Sequence, residues 1–492
     1  MITLQIKGMN MKKSTLYLSL SVSIITIITA VVLVQLYQVK PTNETSQFET
    51  MPYFVDENPS NVQKQMLRFG QGNYKISDYV ELPDQHVLIG GQNLTEDGLY
   101  YPFFEKLNLG GGAAYTSSFP IAYPSDATYN PEASLPNGIQ HIVYGDEDHI
   151  YMIGQVVASL TKSDNTLVPL SGSFANGNMY MNQSILTFIV RLNLNFSQIQ
   201  FLGYLEDITN EMVTRTTINA VKLLDENTMV IAGKTTSKSG VFEQANLQDE
   251  GFVIQLDLSE NQIALEKDYF FVSSAAYEIE GMNVADNQDV FVVGSYTKND
   301  GNFISLPLPS ENHQHGFILR LNQSNYEPAW WYGSHQEDME DQLDGRYISV
   351  MQLENNHLVA VGNTNLSDAP TNGEGSIIKT TLTLDGKIIN QRLLSSPEPF
   401  VIKAWIKSSQ GYFAIGQTYD TSIDITLLHY NHRMNLIHAE TIQGSGNDLI
   451  TTKVSVMYTG AAYFFTRTQS SDLNFATTGL TNIETTQSIS VF

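Results

Sequence analysis

Few residues of this chain stand at spacings that chemistry demands. His313 and His315 are one residue apart, so two imidazoles could reach one metal ion, yet no third ligand is clearly placed for them. The alternative reading is a solvated loop. Glu337, Asp338, Glu340, Asp341 and Asp344-Gly345 form an acidic cluster. It lacks the alternating Asp/Asn spacing and the distal Glu of a calcium loop. Ca2+ is therefore the one cofactor to consider, held loosely, against a solvated acidic loop.

Hydrolysis of a glycosidic bond needs two carboxylates roughly 5–10 Å apart. Carboxylates are plentiful here, but no pair stands out by position. Gly110-Gly111-Gly112 opens no expected helix and cannot cradle phosphate at a helix N-terminus. No Gly-x-Ser-x-Gly elbow occurs. No cysteine is present, which removes disulfides, thiolate nucleophiles and Cys-ligated zinc. The sequence therefore assigns no catalytic, cofactor or metal residue.

Composition narrows the partners. The chain has 492 residues, 26 Lys plus Arg and 51 Asp plus Glu, for a net charge of −25. Such a surface repels phosphate backbones, so nucleic acid is not expected as a partner. Hydrophobic residues make up 42%, which supports a packed core.

The N-terminal region reads as a membrane anchor. Residues 1–13 carry Lys7, Lys12 and Lys13, and residues 14–39 carry no charged side chain. At about 1.5 Å per helical residue, that stretch crosses a ~30 Å hydrocarbon core. The lysines precede it and Glu44, Glu49, Asp56 and Glu57 follow, so the N-terminus is expected in the cytoplasm and the bulk outside. A cleaved signal peptide is the rival, though the apolar run exceeds the usual length. Residues 40–61, with Pro41, Pro52 and Pro59, read as a linker.

From residue 62 to 492 a phrase repeats. An apolar run ends in Gly90, Gly154, Gly233, Gly294, Gly362 and Gly416, and Thr466 takes the place of Gly in a seventh copy. The spacings are 64, 79, 61, 68, 54 and 50 residues, too irregular for a tightly stacked solenoid. They suit propeller blades, whose loops vary while their strands do not. Each unit is expected to hold four strands. The first is aromatic or apolar (Leu67 and Phe69; Phe201 and Leu202; Trp330 to Tyr332; Leu436 and Ile437). The third is apolar throughout, as for burial on both faces. The fourth runs as Phe317 to Leu321 does. The expectation is an all-β, seven-bladed propeller, with six or eight blades as alternatives. Strand one of the first unit is expected to meet the last unit. The repeated Gly is expected at a bulge or a close backbone approach.

Tyr332-Gly333, Gly294-Ser295-Tyr296-Thr297 and Gly316 to Leu321 carry a resemblance to bacterial β-propeller repeat proteins of the SBBP type. Units three to five carry it well and the others loosely. The resemblance implies a surface or secreted location and no particular activity.

The long insertions, Ser117 to Asn137, Ala158 to Gln183, Asn299 to His315 and His335 to Arg346, all fall between strands one and two or three and four. They should therefore share one face, and the two of unit two hold Tyr (Tyr123, Tyr129, Tyr180), with Tyr115 at an edge. Two functions follow. One is a binding or scaffold protein meeting protein or glycan partners outside the membrane. The other is a carbohydrate-active hydrolase or lyase with its site at the propeller mouth.

Overall fold

The computed structural model describes residues 64–491 except for connecting segments, the longest being most of 119–137, together with 159–183, 208–214, 335–344, 365–375 and 469–484. The expected anchor (14–39) and linker lie outside the described residues. Among those described, no helix is long and apolar enough to cross a membrane.

The chain is an all-β propeller. Six sheets each take four strands consecutive in sequence, paired antiparallel in chain order. They begin at Tyr74–Glu81, Gly138–Tyr144, Thr216–Leu223, Tyr277–Val284, Gly345–Gln352 and Phe400–Ser408. These first strands neighbour one another from sheet to sheet and form the inner ring. A closing sheet is composite. Its strands Asp448–Ile450, Ala462–Thr468 and Thr485–Val491 come from the C-terminal end, and Lys64–Gln71 comes from the N-terminal end. Lys64 pairs with Val491 and Met66 with Ile489, so both ends of the described chain share a sheet.

Two expectations are corrected here. Complete four-strand blades number six rather than seven. The last unit builds only part of a sheet, since the outer strand of that sheet, Lys64–Gln71, comes from the N-terminal end. The strand taken as the first of each unit is instead the outer strand of the sheet before it. Trp331 pairs with Leu319, and Phe201 with Val190, because a short hairpin joins each to the preceding third strand. The long connections still share a face, since outer-to-inner and second-to-third connections leave a blade at the same end.

Apolar side chains fill the six junctions between successive sheets up to the closing one. The third and fourth sheets meet over Val253, Phe271, Tyr277, Val292, Phe303 and Phe317. The sixth sheet meets the closing one over Ile415, Leu427, Ile442 and Phe464. Strands buried on both faces explain the unbroken apolar runs; Val290 to Tyr296 is buried at every position.

Candidate functional site

The repeated glycine leads to the site. In every complete sheet it sits on the second strand opposite Ile76, Ile139, Ile218, Ile279, Tyr347 or Ile402 of the inner strand. In the first sheet the glycine at that register is Gly91, next to the expected Gly90. Immediately after this position each inner strand carries a bulge, and the extra residue is Ser77, Gln140, Asn219, Glu280, Ile348 or Lys403. A bulge breaks the ladder and re-aims side chains, here around the axis. The bulge presses the inner strand's carbonyl toward the second strand. A Cβ at Gly294 would overlap the Glu278 oxygen, and one at Gly362 the Arg346 oxygen. The glycine is therefore structural, as expected.

The residue after the bulge forms a column around the ring. In four sheets it is small: Ala220, Gly281, Ser349 and Ala404. In the first and second sheets it is Asp78 and His141. These two lie side by side, His141 Nδ1 4.0 Å from Asp78 Oδ2. Lys453 of the closing sheet reaches both Asp78 oxygens at 3.0 Å and donates to the Ile142 carbonyl at 3.3 Å. The Ile142 amide donates to Asp78 at 2.7 Å. A buried carboxylate is thus held by a cation and a backbone donor, the condition under which a buried charge is tolerable.

His141 Nε2 lies 2.8 Å from the Ile218 carbonyl, so that nitrogen carries the hydrogen. Its Nδ1 keeps a lone pair. Burial pulls the imidazole below its ordinary pKa of 6.5, against the pull of Asp78. His141 is therefore neutral near pH 7 and can accept a proton.

Two further lysines line the inner strands. Lys222 and Lys403 are exposed, yet both are pulled below the ordinary lysine pKa, first by crowding protein and then by a neighbouring cation. For Lys222 that cation is Lys453, and for Lys403 it is Arg346. Arg346 is paired, Nη1 to Glu280 Oε1 at 3.3 Å. The inner strands of the six complete sheets hold five basic residues (Lys75, Lys222, Arg346, Lys403, Lys407) and four acidic ones (Asp78, Glu81, Glu278, Glu280). The whole chain has 26 against 51, so these strands are relatively basic within an acidic molecule.

The residues singled out from sequence lie elsewhere. His315 is buried on a third strand opposite Tyr296, edge-on to its ring, while His313 lies outside the described residues. Among the described residues no group of three or more His, Asp or Glu could hold a metal ion. The 337–344 acidic cluster, Gly110 to Gly112, Tyr129 and Tyr180 fall outside the described residues. Tyr115 lies on an outer strand and Tyr123 on a two-residue strand against Tyr100. Part of the 299–315 insertion is packed rather than free. Gly301–Phe303 makes a 3-10 turn that buries Phe303 in the core.

No protein-family model matches the chain, and no curated protein matches it. Among solved structures, the ulvan lyase of polysaccharide lyase family PL25 superposes with a TM-score of 0.48 at 9% identity, covering 83% of this chain and 93% of its own. A post-proline cleaving enzyme from Rickettsia typhi gives 0.38 at 11% identity, covering 82% of this chain and 49% of its own. A Trypanosoma rangeli sialidase gives 0.35 at 9% identity, covering 84% and 58%. Likeness at these scores carries no argument about this chain. The class that the fold defines is an all-β propeller.

Proposed function

We propose that this chain is a membrane-tethered, extracytoplasmic propeller that binds a protein or glycan partner at its axial mouth. Residues 14–39 serve as the anchor, and the composite sheet serves as a seventh blade closing the ring. The SBBP-type repeat phrase supports the surface address. The observation that carries the binding reading is the pair Lys222 and Lys403. Both are exposed on inner strands and make no hydrogen bond or ion pair to the described residues. Exposed cations on paired strands suit recognition better than packing. The test is a glycan array and a pull-down with the whole 492-residue chain in detergent. The expected result is capture that Lys222→Gln and Lys403→Gln together abolish. Capture unaffected by both contradicts the axial site.

A second reading, a carbohydrate-active enzyme at the same mouth, is favoured by His141. Its free Nδ1 beside cationic Lys453 could take a proton from a sugar acid. A two-carboxylate hydrolase is less well supported. Asp78, Glu280 and Arg346 do gather on inner strands, but Asp78 is engaged by Lys453 and Glu280 by Arg346. Product formation from any captured glycan, lost in His141→Ala, would select the enzyme.

A further inference from the structure

We propose that the ligand of the axial mouth is a short organic anion, held through carboxylate, phosphate or sulfate groups by Lys403 at the entrance and Lys222 deeper in. This rests on the axial binding reading and adds the ligand's charge and size.

The two lysines sit at different depths. Lys403 is the bulge residue of its inner strand. Lys222 stands three residues past the equivalent bulge residue, Asn219. At about 3.3 Å per residue the levels are about 10 Å apart along the strands. Inner strands begin at the face that carries the long connections, so Lys403 is met first.

Each level pairs one engaged cation with one unengaged cation. At the entrance Arg346 is bound to Glu280, and Lys403 stands near them, repelled by Arg346 and drawn by Glu280, with no hydrogen bond or close ion pair of its own among the described residues. Deeper in, Lys453 is bound to Asp78 and Lys222 lies near it, likewise without a partner. Cations facing one another at close quarters repel, and an anion between them relieves that repulsion. Asn219 cannot serve, since its amide donates to the Ile279 carbonyl at 2.5 Å and helps lock the ring.

The rest of the molecule limits the ligand's size. With a net charge of −25, the outer surface opposes a long polyanion. Beyond roughly 8 Å at physiological salt that opposition is screened, so a short anion reaches the axis.

The test is calorimetric titration of the whole chain in detergent with three probes: trigalacturonate, glucose 1,6-bisphosphate and neutral maltotriose. At least one of the two anions should bind, maltotriose should not, and affinity should fall as salt rises. Which anion wins distinguishes carboxylate from phosphate chemistry. Lys403→Gln and Lys222→Gln should each weaken the bound anion about tenfold, the value of one charge-assisted hydrogen bond. Both side chains are exposed and repelled by a neighbouring cation, so the variants should melt no lower than the parent, which separates binding from folding. Absence of binding by both anions, equal binding of maltotriose, or affinity indifferent to both substitutions would overturn the proposal. Capture of a neutral glycan or a protein through the same lysines would overturn the anion and leave the binding reading standing.

Discussion

Glu206 and Lys379 are ionisable side chains placed where charge is penalised, and their energetics point in opposite directions with pH. Glu206 is buried and accepts from the Thr187 amide at 2.7 Å and the Thr187 hydroxyl at 3.0 Å. Burial nonetheless raises its pKa from 4.5 to about 7. The folded state therefore holds a proton that the unfolded chain releases, and stability falls as pH rises from 4.5 through 7. Glu206→Gln keeps one oxygen to accept from the Thr187 amide, turns an NH2 toward the Thr187 hydroxyl and removes the titration. It should gain on the order of 2–3 kcal/mol over the parent at pH 8 and little at pH 4.5, read by urea unfolding at both.

Lys379 occupies a register where the other complete sheets carry Phe104, Ile189, Val253, Ile318 and Leu427, each the residue after the one facing the repeated glycine. Its amine is buried, hydrogen-bonds Thr381 at 3.1 Å and lies opposite Arg392. Burial, then Arg392, lowers its pKa to about 8. Below that value the fold must hold the charge, and the penalty fades as pH rises toward 10.5. Lys379→Met should stabilise by about 1–2 kcal/mol at pH 7, with the gain vanishing near pH 10.5. A loss at pH 7 would show an unseen counter-charge.

At the scale of elements, the bulge and the glycine facing it are one device. Gly294→Ala forces a methyl into the Glu278 carbonyl, so either the bulge or the ladder must yield. A loss of about 2–4 kcal/mol in urea unfolding is expected, more than a Gly-to-Ala change gives in an open strand. This much was legible in sequence: the recurrent glycine, its bulge, the fourth strands and the meeting of the chain's two ends. The framing of blades was not. Trp330 to Tyr332 look like the start of a unit because the phrase repeats cyclically, and a cyclic phrase has no marked beginning. The hairpin from Leu321 to Pro328 decides the matter by pairing that strand backward. The site was also missed, though a signal existed. Aligned on the glycine, the inner strands read Asp78, His141, Ala220, Gly281, Ser349 and Ala404, and two charge-bearing side chains break a column of small ones. Lys453 could not be found that way, because its unit lacks the glycine that sets the register.

At the scale of the whole molecule, the closing sheet joins the two ends of the described chain. Lys453 on Asp78 links the closing sheet to the first, and within the closing sheet Lys64–Gln71 pairs with Thr485–Val491. Gln65 and Ser490 are Cα partners there. The chain has no cysteine, so Gln65→Cys with Ser490→Cys offers an unambiguous pair. Oxidation should form an intramolecular disulfide and raise stability by up to about 5 kcal/mol, since it closes nearly the whole chain. Cross-linking between molecules alone would contradict ring closure by these two strands.

The most direct test of the account is lysine acetylation of the whole chain, read by mass spectrometry with and without its captured ligand. If the ligand sits in the axis, Lys222 and Lys403 lose reactivity on binding while Lys387, exposed on an outer turn, keeps its own. Unchanged labelling at both axial lysines together with protection of Lys387 would place the ligand on the rim and contradict the axial site.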